Sequence, residues 1–347
     1  NCKISVDNNS NTSDNLSVSS FTIDTTAPTL VETTGVSILT NDNTSLSYIF
    51  SSTEGGTITF VGDCSSDNNT AVADNMTVSF AALADGTYDT CYIKVTDSAG
   101  NSREIKVNTF TIDTIAPNLA EIDPVDTPTN DNSTLSYTFS STEAGTITYG
   151  VCSGSPDNAS KDNNTIKFNP LAEGTYDNCT ITVTDSAENT STALEVEEFK
   201  IDKTAPELDQ LTAVPTPTDN TTPAYSFKST EPGTNSYGGS CGSSSTSEIT
   251  EVTKDNVTII LTQPDNSTAL IEALYDDCSI TVTDSAGNPS NQLEVNTFEV
   301  DTTAPTVSAT SPTNDNSSVS VSDNISVTFS ESMDNTSVTT NTSNTTC

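Results

Sequence analysis

The sequence predicts an all-β protein, a tandem series of β-sandwiches arranged as an elongated rod. Two observations predict this fold class. Units of about 90 residues recur along the chain, and within each unit Val, Ile, Tyr and Phe alternate with polar residues in short runs. Alternation with a period of two is typical of half-buried strands. Short strands at regular spacing within units of this size indicate sandwiches rather than a propeller or a solenoid.

Three motifs recur in register and define the repeat. The junction motif reads FTIDTTAP, FTIDTIAP, FKIDKTAP and FEVDTTAP. The second motif reads CYIKVTDSAGN, CTITVTDSAEN and CSITVTDSAGN, with a decayed copy, CKISVDNNSN, near the start of the chain. The third motif reads SLSYIFSSTEGGT, TLSYTFSSTEAGT and PAYSFKSTEPGT. We therefore expect three full repeats, at 28–116, 117–205 and 206–304.

The two ends are expected to be parts of further domains. Residues 1–27 carry the late motifs of a preceding repeat, whereas residues 305–347 are expected to be the first part of a domain of a different subfamily. Because the chain opens within a motif, we expect the N-terminus of the full protein to lie upstream.

The strands of one repeat can be followed along residues 28–116. They are TLVETTG, SLSYIFSS, GTITFVG, MTVSFAAL, TCYIKVTD and REIKVNTFTI. Alternation places Leu46, Tyr48 and Phe50 on one face of their strand. About seven short strands in a unit of this length is the size of an immunoglobulin-type domain. Tyr88 in ADGTYDTC is similar to the tyrosine corner of such domains, although it precedes the cysteine by three residues instead of two.

Composition excludes several classes of function. Forty-eight acidic residues against ten basic residues give a net charge of −38, which predicts that nucleic acids and anionic membranes are not partners. No run is apolar enough to predict membrane insertion. There is no histidine, and no nucleotide-binding loop or Ser-His-Asp set is present, so we expect no enzymatic activity. Paired carboxylates could be the catalytic residues of a glycosidase, but a catalytic site rarely recurs in every repeat.

Cysteine usage predicts disulfides. Eight cysteines without a CxxC pair, in a chain without histidine, argue against zinc and for an oxidising compartment. Three pairs each fall within one repeat, and each would stabilise it by roughly 3–4 kcal/mol; the alternative is buried free thiols. The expected pairs are Cys64 with Cys91, Cys152 with Cys179, and Cys241 with Cys278.

Cys2 and Cys347 are left without a partner inside a repeat. Their partners lie outside residues 1–347, or Cys347 of one copy pairs with Cys2 of the next. In the second case the segment 305–347 would supply the early strands of a sandwich and 1–27 the late strands, which is strand complementation between copies.

The combination VTDSAGN…FTIDTTAP resembles the bacterial immunoglobulin-like tandem repeats of large extracellular surface adhesins. The resemblance covers residues 28–304 and a part-repeat at each end. It implies an extracellular location, at the cell surface or in a secreted filament, and Ca²⁺ bound between domains.

The acidic residues at the repeat junctions predict the same ion from their positions. In an immunoglobulin-type sandwich, two of the loops share one pole with the linker arriving from the preceding domain, so three carboxylates should meet there. Lys and Arg are too scarce to neutralise them, and a hard cation with oxygen ligands is the natural partner; solvated turn residues are the alternative. The predicted ligands are Asp24, Glu54 and Asp97; Asp113, Glu143 and Asp185; Asp202, Glu231 and Asp284; and Asp301 with Glu331.

A second group of polar residues, NDNTS and its relatives, lies in the turn after the first strand, and we expect a turn role for its acids. The same turns carry N-x-[ST] sequons, which predict glycosylation of a secreted protein; compositional bias is the alternative. The best candidates are Asn43, Asn132 and Asn220, and Asn316 occupies the corresponding turn.

The sequence thus favours a non-enzymatic structural protein, a calcium-stiffened, disulfide-bonded repeat stalk of a cell-surface adhesin. Its partners would be further repeats of the same chain, and a cell-surface or glycan receptor would be bound by regions outside this sequence. The alternative is a self-assembling extracellular filament or sheath made of copies of this chain. Ligand recognition by the loops is disfavoured because few aromatic or Arg residues are available as anchors. The GG and GS pairs near 238–243 are interpreted as loop punctuation, that is, glycines that mark turns and not a phosphate-binding loop.

Overall fold

The computed structural model describes residues 2–250 and 253–333, and all its regular elements are β-strands. The chain forms two compact units. Unit 1 comprises Asn1–Thr127 and Asp131–Ile201, and unit 2 comprises Pro128–Asn130 and Asp202–Cys347. The all-β fold class predicted from the sequence is confirmed.

Unit 1 contains a short hairpin and two sandwiches. Its strands are β1 (Lys3–Ile4), β2 (Leu16–Ser17), β3 (Leu30–Thr34), β4 (Leu39–Thr40), β5 (Ser47–Ser52), β6 (Gly56–Val61), β7 (Thr70–Ala71), β8 (Asp74–Ser79), β9 (Gly86–Tyr88), β10 (Tyr92–Thr96), β11 (Ser102–Lys106), β12 (Phe110–Ile112), β13 (Leu119–Asp123), β14 (Ser136–Ser141), β15 (Gly145–Tyr149), β16 (Gly154–Ser155), β17 (Asn158–Ala159), β18 (Asp162–Phe168), β19 (Gly174–Tyr176), β20 (Thr180–Thr184), β21 (Leu194–Glu195) and β22 (Phe199–Ile201).

Unit 2 contains the third sandwich and a terminal hairpin. Its strands are β23 (Leu208–Thr212), β24 (Ala224–Ser229), β25 (Gly233–Gly238), β26 (Gly242–Ser243), β27 (Glu248–Ile249), β28 (Val257–Thr262), β29 (Ala273–Tyr275), β30 (Ser279–Thr283), β31 (Leu293–Glu294), β32 (Phe298–Val300), β33 (Val307–Ser311) and β34 (Ser326–Phe329).

The three sandwiches share one topology. In the second, one sheet has the order β13-β14-β18-β16 and the facing sheet β17-β15-β20-β21, while β19 pairs with β22. The third repeats this arrangement with β23-β24-β28-β26, β27-β25-β30-β31 and β29-β32. In the first, β3-β5-β8 faces β11-β10-β6-β7, and β12 lies between β4 and β9. The recurring sequence motifs therefore correspond to recurring strands.

Each sandwich encloses its own apolar core. In β5 the burial alternates along the strand, so Tyr48 and Phe50 are fully buried while their neighbours are not. Three separate clusters of buried residues result, one in each sandwich. These cores are small, as the low apolar content of the chain predicts.

Disulfides and tyrosine corners tie each core together. The three predicted disulfides are present: Cys64–Cys91, Cys152–Cys179 and Cys241–Cys278, with Cα–Cα distances of 5.4, 5.2 and 5.2 Å. The hydroxyl of Tyr88 donates to the carbonyl of Ala84 at 2.8 Å, a hydrogen bond that Tyr176 and Tyr275 repeat in the other sandwiches. Cys2 is exposed and forms no disulfide with another described cysteine, and Cys347 lies outside the described residues.

The last strand of the first repeat differs from its prediction. The run REIKVNTFTI is not one strand but two, β11 and β12, interrupted at residues 107–109. Asn108 occupies the break, and its side-chain amide accepts from the backbone N–H of Val36 and donates to the carbonyl of Val36, both at 2.8 Å. The break falls where the chain leaves the sheet of β10 and β11 and enters the sheet of β4, β12 and β9, and the bonds to Val36 fix the chain at that crossing.

Candidate metal centres

Three groups of acids, each drawn from three separate segments, are the most chemically distinctive feature of the protein. In each group, one carboxylate oxygen from each of the three acids lies within 4.8 Å of the other two. The groups are Asp24, Glu54 and Asp97; Asp113, Glu143 and Asp185; and Asp202, Glu231 and Asp284. Nine of the eleven acids predicted as metal ligands are therefore brought together in the predicted combinations.

The strands of unit 1 explain how the second group forms. Asp113 follows β12, the last strand of the first sandwich, and Glu143 lies in the tight connection between β14 and β15. Asp185 follows β20, which pairs with β15, so the ends of the two strands carry Glu143 and Asp185 to one edge of the second sandwich. The group thus joins one acid of the first sandwich to two acids of the second.

Asp185 is fixed by the DSAEN turn that follows it. Its Oδ1 accepts hydrogen bonds from the backbone N–H groups of Ala187 at 2.8 Å and Asn189 at 2.9 Å. Its Oδ2 accepts from Nδ2 of Asn189 at 2.9 Å. Asp185 is only 8% exposed, so these bonds hold a nearly buried carboxylate in one orientation.

Asn189 also ties the second sandwich to the first. Its Nδ2 donates to the backbone carbonyl of Asp113 at 2.8 Å, in addition to the bond with Asp185. The other two groups contain the same bridge. Asn101 donates to Asp97 and to the carbonyl of Asp24 at 2.9 and 3.1 Å, and Asn288 donates to Asp284 and to the carbonyl of Asp202 at 2.8 Å each.

A buried serine positions the glutamate of each group. The hydroxyl of Ser141 donates to the backbone carbonyl of Glu143 at 2.6 Å and accepts from its N–H at 3.4 Å. Ser52 and Ser229 make the corresponding bonds to Glu54 and Glu231. The recurring SSTE and KSTE sequences therefore place a glutamate at a fixed point of the turn.

The electrostatics of these groups differ from residue to residue. The pKa of Glu143 is raised, first by burial and then by the charges of Asp113 and Asp185, while Lys161 opposes the shift. The pKa of Asp97 is lowered, chiefly by the hydrogen bond from the side chain of Asn101. Ionised carboxylates held this close repel one another, and a cation among them would remove the repulsion.

The donor set fits a hard divalent cation of the size of Ca²⁺. Ca²⁺ binds oxygen ligands at about 2.3–2.6 Å, so two oxygens on opposite sides of one ion lie about 4.6–5.2 Å apart. Oxygens within 4.8 Å of one another can therefore share a single coordination sphere. Three carboxylates supply three to six of the six to eight oxygens that Ca²⁺ takes, and backbone carbonyls or water molecules complete such spheres in general.

Asp301 and Glu331, the last predicted pair, do not form such a group with a third acid among residues 2–250 and 253–333. Both line a surface cleft of about 420 Å³ together with Glu272. Glu272 accepts hydrogen bonds from the hydroxyls of Thr302 and Thr303 at 2.9 and 2.8 Å, so this acid is held by the linker itself.

The acids of the NDNTS-type turns have a different role, as the sequence suggested. Oδ1 of Asp131 accepts from the backbone N–H groups of Ser133 and Thr134 at 2.8 and 3.0 Å, and Oδ2 accepts from the hydroxyl of Thr134. These bonds lower the pKa of Asp131 to about 2. Asp42 makes the corresponding bonds in the first sandwich, and its pKa is likewise about 2.

The candidate glycosylation sites occupy two positions of that turn. Asn43 and Asn132 are partly buried, and Nδ2 of Asn132 donates to the carbonyl of Leu171 at 3.1 Å. Asn220 and Asn316 are exposed, and they stand where Asp131 stands, since Oδ1 of each accepts from the N–H two residues later at 2.9 Å. Glycosylation at all four stays a prediction, with Asn220 and Asn316 the more accessible.

Sequence reasoning missed the bridging asparagines, Asn101, Asn189 and Asn288. The signal was present, because the last residue of VTDSAGN, VTDSAEN and VTDSAGN recurs in every repeat. Recurrence alone does not show that this asparagine reaches the backbone of the junction acid, as it does in the structure.

Comparisons with known proteins place one part of the chain. Residues 301–346 match the family described as bacterial Ig-like domain. No curated protein sequence matches the chain. One similar solved structure is the dimeric latent PorU from Porphyromonas gingivalis, at 9% identity and a TM-score of 0.22, covering 79% of this chain and 34% of that one. The chain therefore spans about a third of that protein, and the low score supports no argument.

The family match and the three disulfides suggest an extracellular or surface location. Among the residues that the structure describes, no helix is long and apolar enough to cross a membrane.

Proposed function

We propose that the protein is a non-enzymatic extracellular structural protein, the repeat stalk of a cell-surface adhesin, in which Ca²⁺ stiffens the joints between immunoglobulin-like repeats. One observation carries the proposal. One carboxylate oxygen of Asp113, in the first sandwich, lies within 4.8 Å of one oxygen of Glu143 and one of Asp185, in the second sandwich. An ion bound to all three would therefore hold two sandwiches at a fixed distance, in addition to the single side-chain bridge from Asn189.

Charge balance supports the same proposal. The chain carries 48 acids and 10 bases, and the ion pairs Lys94–Glu104 and Lys228–Asp209, 3.9 and 3.1 Å long, lie on the exposed strand faces. Exposed pairs of this kind contribute little. Cations bound at the three acid groups would reduce the repulsion between the clustered carboxylates.

Calorimetry and small-angle X-ray scattering test the proposal together. Adding Ca²⁺ to chelator-treated protein should raise Tm, because a ligand that binds only the folded state stabilises it. It should also increase the maximum particle dimension and decrease the flexibility seen by scattering. Asp185→Asn, which disrupts one of the three acid groups, should weaken both responses, whereas Asp131→Asn, which changes a turn acid of the same sandwich, should keep both in full. Scattering curves that are the same with Ca²⁺ and with chelator would rule out stiffening.

A second candidate function, a filament joined by strand complementation between copies, is favoured by one observation. Phe21 and Ile23 of the first junction motif are 67% and 77% exposed, whereas Phe110 and Ile112 of the next copy of the motif are buried. In such a filament, strands from a second copy of the chain would cover Phe21 and Ile23. Sedimentation velocity across a hundredfold range of protein concentration separates the filament from the stalk, since only the filament predicts assemblies that grow with concentration. The filament also predicts a disulfide between Cys2 of one copy and Cys347 of the next.

A further inference from the structure

One buried position sets the third sandwich apart. The third strand motif reads GTITF and GTITY in the first two sandwiches and GTNSY in the third. Ile58 and Ile147 at the central position are each 3% exposed and belong to the apolar cores. Asn235 takes that position in the third sandwich at 4% exposure. A polar amide thus replaces an apolar side chain at a site that is equally buried.

The amide of Asn235 is only half satisfied. Its Nδ2 donates to the hydroxyl of Tyr237, and its backbone N–H donates to the carbonyl of Ser247 at 2.7 Å. Its Oδ1 has no hydrogen-bond partner among the residues that the structure describes. A buried acceptor without a donor destabilises the folded state, and an isoleucine at this position would avoid that cost. Among the described residues, Oδ1 is therefore an acceptor that a bound ligand or water could satisfy.

Asn235 lines a cleft that could admit such a donor. The cleft has a volume of about 650 Å³ and is also lined by Tyr237, Ser243, Ser245 and Asn266. This volume lies within the range of about 300–1,000 Å³ that is typical of small-molecule sites. None of the described residues that line the cleft carries a charge, although the chain as a whole is strongly acidic.

A longer loop of the third sandwich builds one wall of the cleft. Residues 263–272 connect β28 to β29, whereas 169–173 suffice for the equivalent connection in the second sandwich. Oδ1 of Asn266 in this loop accepts from the N–H of Ser243 at 3.1 Å. The loop approaches so closely that a Cβ on Gly242 would lie 2.4 Å from that oxygen. The glycines near 238–243, interpreted from the sequence as loop punctuation, thus include one that allows the wall to form.

We propose that this cleft binds a neutral, hydroxyl-rich ligand of the size of a mono- or disaccharide. With a small opening of the cleft, a sugar hydroxyl can donate to Oδ1 of Asn235, which is buried in the structure as it stands, and serine and asparagine side chains can exchange further hydrogen bonds with a ring of hydroxyls. The half-buried ring of Tyr237 offers an apolar surface with a polar end, which suits the two-sided character of a sugar. The net charge of −38 disfavours anionic ligands. A cationic ligand is not favoured either, because none of the described residues that line the cleft carries a negative charge.

NMR titration of the ¹⁵N-labelled chain tests the site. Glucose, galactose and N-acetylglucosamine are each added to about 20 mM. Binding of at least one should shift the side-chain amide of Asn235 and the backbone amides of Ser243 and Ser245, and leave the first two sandwiches unchanged. Glucuronate, the anionic counterpart of glucose, should bind at least fivefold more weakly than glucose. No shift with any neutral sugar, or equal binding of glucuronate, would overturn the proposal.

Variants separate recognition from folding. Asn235→Ile restores the residue of the other two sandwiches, so the protein should melt no lower than wild type while the sugar-induced shifts disappear. Gly242→Ala should weaken binding by displacing the loop that carries Asn266. Ile147→Val, a buried change in the second sandwich, is the matched control and should keep full binding. Sugar-induced shifts that survive in Asn235→Ile would place the ligand elsewhere and refute the proposed site.

Discussion

Asp131 and Asp185 belong to the same sandwich, and each accepts several hydrogen bonds, yet their surroundings differ. The donors to Asp131 lie two and three residues away, and no group of three acids found among the described residues includes it. Asp185 also accepts bonds from its own turn, but its carboxylate lies beside those of Asp113 and Glu143. The turn bonds account for the lowered pKa of Asp131, whereas the turn alone leaves the clustering at Asp185 unexplained. The difference teaches that acid-rich turns and candidate cation sites must be distinguished by which segments meet, not by residue type.

The largest effect is expected from Asp185→Asn. At a free Ca²⁺ concentration one hundred times Kd, a bound ion stabilises the folded state by about 2.7 kcal/mol, and the variant should lose most of that contribution at this junction. In chelator the variant should lose less, because its amide oxygen can still accept the two backbone hydrogen bonds and only the bond from Nδ2 of Asn189 is lost. Chemical denaturation with and without Ca²⁺ measures both values. An equal loss in both conditions would make Asp185 a turn residue like Asp131.

Asn189→Ala should have the next largest effect. It removes the donor shared by Asp185 and the carbonyl of Asp113, and a hydrogen bond to a charged group contributes about 1.5–3 kcal/mol. It should destabilise the protein about equally in chelator and in Ca²⁺, because both hydrogen bonds that it removes form without the ion. The equivalent variant Asn101→Ala reports on the first group and should behave in the same way. A loss seen only with Ca²⁺ would mean that the asparagine acts solely through the ion.

Glu143→Gln should change the free energy of unfolding in opposite directions with and without Ca²⁺. In chelator it removes a charge that Asp113 and Asp185 repel, and a like-charge pair about 4 Å apart costs about 1 kcal/mol in water, so the variant should be slightly more stable than wild type. With Ca²⁺ it removes a ligand and should be less stable. Denaturation midpoints in the two conditions give the sign directly, and destabilisation in both would argue that Glu143 is only structural.

Asp131→Asn should have the smallest effect and no dependence on Ca²⁺. The third sandwich already uses Asn220 at this position, with its Oδ1 accepting from Thr222 at 2.9 Å. The pKa of Asp131 is lowered to about 2, so its contribution is complete above about pH 4 and is lost as the pH falls through 2. An NMR titration of the side-chain carboxyl checks the midpoint, and a midpoint near 4 would show that the turn bonds do not form.

Much of this architecture could be predicted from the sequence because it rests on repetition. The alternation in SLSYIFSS fixes the buried Tyr48 and Phe50, and recurrence of the junction motif places Asp113 with Glu143 and Asp185. The break at Asn108 could not be predicted, because it depends on hydrogen bonds to Val36, 72 residues earlier in the chain.

The cleft of the third sandwich shows the opposite limit of sequence reasoning. The change from GTIT to GTNS is visible in the sequence, but an Asn in an alternating run is consistent with an exposed position. Only the packing shows that Asn235 is buried at 4% exposure and lies against the longer loop. A binding residue that occurs in only one repeat is therefore hard to recognise from the repeat pattern that predicts the fold.

Isothermal titration calorimetry of chelator-treated protein with Ca²⁺ tests the central claim most directly. The account predicts saturable binding with a stoichiometry near three, one ion for each acid group, and a stoichiometry lower by one for Asp185→Asn. The Asp131→Asn control should keep the wild-type value. No saturable binding, or the same stoichiometry in all three proteins, would contradict the claim that these acids hold calcium.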